Sequence, residues 1–234
     1  MRIDIWSDVV CPWCYIGKRR LEKALADFEH ADAVEVVWHS FELDPGSPRE
    51  ATETVPHMLG RKYGGGDEAG RQMVDRTEAV AAEEGLIFRL HQALRGNTRD
   101  AHRLLHLALE TGGPQLQGRL KEAYLAAYFT EVRNVADAAV LREIAVATGL
   151  DPARVDAVLA SEEYAADVQA DIDRARAYGA TGVPFFVVDE KYGVSGAQPT
   201  DVFAQVLRRA WDEREPSLQV VASDDACGPD GCAW

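Results

Sequence analysis

Four cysteines fall in two pairs: Cys11-Pro12-Trp13-Cys14 near the start of the chain, and Cys227 and Cys232 near its end. At the first turn of a helix, free backbone N–H groups and the helix dipole stabilise a thiolate. That position predicts a depressed pKa for Cys11. A thiolate is the attacking species in thiol–disulfide exchange, and Cys14, one turn on, is placed to resolve the mixed disulfide. Two intervening residues let a disulfide close without unwinding the helix. Pro12 suits a first helical turn, where its missing N–H costs nothing. Trp13, between the cysteines, is expected to be exposed and able to contact unfolded substrate. The competing chemistry is zinc, with the second pair completing four sulfur ligands. The Cys227/Cys232 spacing is at the loose end of zinc patterns, so redox exchange is preferred and no metal is assigned. The six histidines add no metal pattern. His102 and His106 are one turn apart without the glutamate of HExxH, and a half-exposed helix face accounts for them. His39 reads as a packed or surface residue rather than a base.

The elements that must position the first pair are short. Ile3 and Ile5 alternate with polar residues over Arg2–Trp6, which predicts a strand. Ile16, Leu21, Leu25 and Phe28 recur at helical spacing after the cysteines. Val34–Phe41 predicts a second strand that ends at Asp44-Pro45-Gly46. From Pro48 to Tyr178 the apolar spacing is helical, with punctuation at Asn97-Thr98, Gly112-Gly113-Pro114 and Asp151-Pro152. Gly64-Gly65-Gly66 reads as a flexible loop within it. Strands return at Pro184–Val188 and Tyr192–Val194 around an Asp189-Glu190-Lys191 turn. A helix carrying Val202, Phe203, Val206, Leu207 and Trp211 on one side follows. The order βαβ, helices, ββα is an α/β thioredoxin fold with a large all-helical insertion. The expected division is 1–47 and 179–215 for the thioredoxin-like part and 48–178 for the insertion. A loose tail with a CxxxxC pair follows at 216–234. Trp6 is expected in the core.

Thr181-Gly182-Val183-Pro184 precedes the returning strand. X-Pro bonds adopt the cis form at modest cost, and in thioredoxin-like folds such a proline sits beside the cysteine pair. CPWCYIG after a short strand, FELDP at 41–45, NTRDAHRL at 97–104 and GVPFFVVDEKYGVSGAQP together resemble the DsbA-like family. They are most similar to its cytoplasmic FrnE branch of dithiol–disulfide isomerases. The resemblance spans essentially the whole chain. It implies Cys11 as nucleophile, Cys14 as resolving thiol and Pro184 as the cis-proline, with Pro12, Trp13 and Val183 beside bound substrate. It also implies that Asn97, Thr98 and His102 line the cleft, although capping explains the first two without any function. The CGPDGC tail resembles the branch's extra pair, and Cys227/Cys232 are expected to act as a second redox pair that exchanges with the first. Related 2-hydroxychromene-2-carboxylate isomerases and kappa-class glutathione transferases typically carry serine in place of the first cysteine. A glutathione-dependent isomerase or transferase therefore stands as the alternative, with a zinc-holding redox sensor or chaperone-like module as a third reading.

Of 234 residues, 39 are acidic and 25 basic, for a formal charge of −14. That surface repels phosphate backbones and anionic membranes, so neither nucleic acid nor membrane is expected as a partner. The expected partners are protein or small-molecule dithiols and disulfides. The N-terminal MRIDIWSDVV has neither the apolar run nor the cleavage site of a secretory signal, and the chain is expected in the cytoplasm. There, paired cysteines are more often catalytic than structural. No bound cofactor is expected, because the cysteines store the electrons; glutathione or a thioredoxin system would be the reductant.

Overall fold

The computed structural model describes residues 1–214. The chain opens with β1 (Arg2–Ser7), α1 (Pro12–Ala26) and β2 (Glu35–Ser40). Six helices follow among the described residues: α2 (Val55–Tyr63), α3 (Gly66–Glu83), α4 (Arg99–Phe129), α5 (Ala138–Thr148), α6 (Pro152–Leu159) and α7 (Ala165–Ala177). It closes with β3 (Phe185–Val188), β4 (Tyr192–Ser195) and α8 (Thr200–Asp212). None of the described helices is long and apolar enough to cross a membrane.

The sheet runs β2-β1-β3-β4. β1 and β2 are parallel, with Ile5 opposite Trp38, and α1 is the crossover that parallel pairing requires. β3 returns antiparallel to β1, with Ile5 opposite Phe186, and hairpins into β4 through Asp189 and Glu190 at φ 46° and 53°. Because β1 is interior, it is buried on both faces from Ile3 to Ser7. One face packs Ile3, Ile5, Phe186 and Val188 against Leu21 and Ala24 of α1 and Phe203 and Leu207 of α8. Each such side chain contributes about 1.5–3 kcal/mol of apolar burial. On the other face lie Trp6, Phe185 and Val187, met by Ala175 of α7.

Polar contacts from α4 and α7 fasten the helices to the sheet. The edge of β2 would expose unpaired backbone groups. Gln117 of α4 covers it like a neighbouring strand: Trp38 N donates to its Oε1 at 2.9 Å, and its Nε2 donates to Trp38 O at 2.8 Å. On the Trp6 face, the His39 ring stacks on Trp6 at 4.5 Å and lies between Asp171 at 2.7 Å and Asp4 at 2.6 Å.

α1 begins at Pro12, so the cysteine segment itself forms the first turn, as its residues predict. Three sequence readings change. Gly64, Gly65 and Gly66 all have positive φ and make a tight reversal instead of a flexible loop. The two helices they join touch backbone to backbone: a Cβ at Gly70 would fall 1.9 Å from Pro56 O. His102 is fully buried, not on a half-exposed face; α4 is covered on that side by the loop after β1. The punctuation at Gly112-Gly113-Pro114 is a kink within α4, where Gly113 has φ 65° and ψ −169°.

Candidate active site

β1 delivers the chain to Ser7, and Asp8 O accepts from Cys11 N at 3.4 Å to turn it into α1. Cys11 is the N-cap of that helix, in extended geometry at φ −89°, ψ 112°. Its Sγ accepts from Cys14 N at 3.3 Å, so the sulfur takes the place of a capping oxygen. Pro12 occupies the first turn, and no acidic side chain lies there. Both cysteines are free, with Cys11 and Cys14 exposed by only 2% and 1%, whereas Trp13 is 44% exposed.

The segment before β3 faces the pair. The Val183–Pro184 peptide is cis, and the Cys11 thiol donates to Val183 O at 3.6 Å. Gly17 makes this approach possible. A Cβ there would lie 3.2 Å from both the Pro184 ring and the Phe186 ring, tighter than ordinary contact. Val183 thus meets the Cys11 sulfur, while the Pro184 ring packs against Gly17 of α1.

Burial pushes the Cys11 thiol well above its ordinary range. The adjacent Cys14 thiol and the Asp8 carboxylate push it further, while the Cys14 N–H acts against them. This reverses the depression expected from the helix terminus. Burial leaves the dipole in place, but the lost solvation of the thiolate outweighs it. Beneath the pair, Asp8 is completely buried; its carboxylate accepts from Leu43 N at 2.8 Å and bonds His102 Nε2 at 3.2 Å. Hydrogen bonds from His102 and Leu43 outweigh burial and hold the Asp8 carboxyl below its usual range. His102 Nδ1 is buried without a partner. Asn97 caps α4 from outside, its Oδ1 accepting from Arg99 N at 3.0 Å.

A cavity of about 370 Å³ opens beside Cys11. Val10, Pro12, Trp13 and Val183 line it on the dithiol side, and Val55, Met58, Leu59, Met73, Val74 and Tyr128 on the helical side. Thr98 also reaches it, but Asn97 and His102 are not among its lining residues. Lys62 and Arg95 supply positive charge at its wall, the latter paired to Asp44. Sequence reading missed Asp8 and the two methionines. Their roles depend on which helices meet the cysteine turn. No group of three or more His, Cys, Asp or Glu among the described residues is arranged to hold a metal ion. Cys227 and Cys232 lie outside the described residues.

A CxxC pair capping a helix, packed against a cis-proline on this sheet, is the arrangement of the thioredoxin-fold thiol–disulfide proteins. The chain belongs to the family of DSBA-like thioredoxin domains, whose model matches residues 2–208. A probable DsbA oxidoreductase from Streptomyces coelicolor is 51% identical, with 100% of this chain and 99% of that one covered and a TM-score of 0.86. An uncharacterized protein of Bacillus subtilis, YwbO, is 28% identical over 88% of this chain and 96% of its own. The cytosolic disulfide reductase DsbM of Pseudomonas aeruginosa, solved with GSH, is 17% identical over 91% of this chain and 100% of that one. Its TM-score of 0.64 marks a shared fold.

Proposed function

We propose that the protein is a thiol–disulfide oxidoreductase that exchanges substrate disulfides through Cys11 and Cys14. The observation that carries this is the Cys11 sulfur itself, which caps α1 beside Val183 and forms the edge of a cavity. Cys11 attacks the substrate disulfide and Cys14, one turn inside, resolves the mixed disulfide. Pro12, Trp13, Val183 and Pro184 form the surface on which the substrate chain or group lies. The family match and the 51% identical probable oxidoreductase support the same chemistry.

Reduction and isomerisation of disulfides are the two directions that the assays below separate. Electrons are stored on the two sulfurs, and glutathione or a thioredoxin-type protein renews them in the cytoplasm. Cys227 and Cys232 serve as a second redox pair in the same exchange.

Insulin reduction with dithiothreitol, run beside refolding of scrambled ribonuclease, tests this reading. The intact protein should accelerate both and Cys11→Ser neither. Equal rates with and without Cys11 would refute it, and the ratio of the two assays separates reductase from isomerase.

A further inference from the structure

The cavity beside Cys11 has walls of uneven chemistry. Val55, Met58 and Leu59 of α2 and Met73 and Val74 of α3 make its helical side apolar. The two helices are held backbone to backbone at Gly60 and Gly70, so this wall adapts through its methionines, whose unbranched thioethers repack around groups of different shape. At about 370 Å³ the cavity is of a size that takes a small molecule. Five large apolar side chains are exposed among the described residues, and three of them, Trp13, Leu43 and Tyr63, line it. Exposed apolar surface gathered at one opening marks a place that a ligand covers.

The charged groups on the walls are not equivalent. Asp8 is bonded to His102 and Leu43 N, and Arg95 is paired with Asp44 and Glu53. Lys62, exposed in the last turn of α2, forms no ion pair among the described residues, and its ammonium lies 5.5 Å from the Tyr63 ring centroid. A chain of formal charge −14 repels anions overall, so an uncompensated cation on the cavity wall decides where the charge of an anionic ligand lies.

We propose that the cavity selects small disulfides whose sulfur carries an aromatic body and a carboxylate, the body lying against Met58 and Met73 and the carboxylate at Lys62. This rests on the exchange reading above and names its substrate class. Glutathione disulfide also brings carboxylates, but its peptide amides would be buried against the apolar wall without partners. Cys11, as thiolate, attacks the substrate sulfur nearer the cavity. A Cys11–substrate S–S bond forms, the substrate's own S–S bond breaks, and the outer half leaves with the electron pair and takes up a proton. The inner half stays in the cavity until Cys14, losing its proton, bonds Cys11 Sγ and releases it as the second thiolate. The substrate is reduced by two electrons and the cysteine pair is oxidised.

The test uses the full chain with Cys227→Ser and Cys232→Ser, so that only the first pair reports. Binding is measured by calorimetry with Cys11→Ser and Cys14→Ser added, on S-methylated thionitrobenzoate, one half of the chromophoric disulfide dithiobis(nitrobenzoate) without its reactive bond. S-methylglutathione and neutral S-methylated thiopyridine are the comparisons. The nitrobenzoate should bind at least about tenfold tighter than S-methylglutathione. Lys62→Gln should weaken it about three- to fivefold, less so in high salt, and change the thiopyridine by less than about 1.5-fold. In the intact dithiol, attack by Cys11 on dithiobis(nitrobenzoate) releases one coloured thiolate and resolution by Cys14 releases the second. The loss in Lys62→Gln should fall on the half-saturating concentration of the first release rather than on its limiting rate. S-methylglutathione binding as tightly as the nitrobenzoate overturns the proposal, as does a Lys62→Gln variant that binds the nitrobenzoate normally or weakens both aryl ligands alike. If the intact dithiol shows neither release while the binding differences hold, the exchange reading fails and the selectivity of the cavity stands.

Discussion

Asp171 is the point at which the helical segment is tied to the sheet by charge, and Asp171→Asn tests how much that tie stabilises. Its carboxylate bonds His39 Nδ1 at 2.7 Å, accepts from Ser40 N at 2.8 Å and pairs with His106 Nε2 at 3.1 Å. Burial works against the charged form, but hydrogen bonds from His106 and His39 prevail and hold the carboxyl well below its usual range. His39, bonded on both ring nitrogens by carboxylates, is raised above its ordinary value despite burial. The stabilisation therefore has two edges. The His39 part is complete below about pH 6.5 and is lost as pH rises through the raised folded value. The Asp171 and Asp4 parts are complete above about pH 4 and are lost as pH falls through their lowered folded values. Removing one partner of a buried charged cluster costs about 3 kcal/mol, at the low end because asparagine keeps one acceptor oxygen. For a chain of this size that lowers the melting temperature by about 6–12 °C. Thermal unfolding followed by far-ultraviolet circular dichroism near pH 6 should show this drop. The gap between the two proteins should narrow toward pH 9, as the parent loses its imidazolium. A drop under about 2 °C near pH 6, or a gap of constant size across that range, would refute the reasoning.

Two further substitutions probe the scaffold around the site. Gln117→Leu leaves Trp38 N and O buried without partners and should cost about 2–4 kcal/mol in urea unfolding. A loss under about 0.5 kcal/mol would show that the strand edge is satisfied in another way. Gly70→Ala places a methyl 1.9 Å from Pro56 O, so α2 and α3 must separate. It should destabilise by about 1–3 kcal/mol. Because Met58 and Met73 line the cavity from those two helices, it should also change the KM for small disulfides more than the first release by Cys11.

The order of elements along the chain, the crossover after the cysteines, the hairpin at Asp189 and Glu190 and the helical character of the middle segment could all be read from the chain, because each is signalled by neighbours in sequence. Ile3 and Ile5 state a strand by alternation, Asp151-Pro152 a helix start by capping, and Cys11-Pro12-Trp13-Cys14 a reactive turn by its spacing. Exposure of Trp13 and burial of Trp6 followed from the same local logic.

Tertiary structure decided what surrounds these elements. Whether Cys11 is stabilised as a thiolate depends on water, and water is removed by Val183, Pro184 and the helices of the middle segment, which lie far away in sequence. His102 looked like a surface residue because its own helix could not reveal that the loop after β1 covers it. Lys121 is spaced like any charged residue of an amphipathic helix, and nothing local tells it from Lys18. It is buried against Ser7 O because α4 packs across β2, with Gln117 one turn earlier completing the strand edge. Periodicity records which side of a helix is apolar. The energy of a charge depends on what that side meets, and that is set only when the chain has closed on itself.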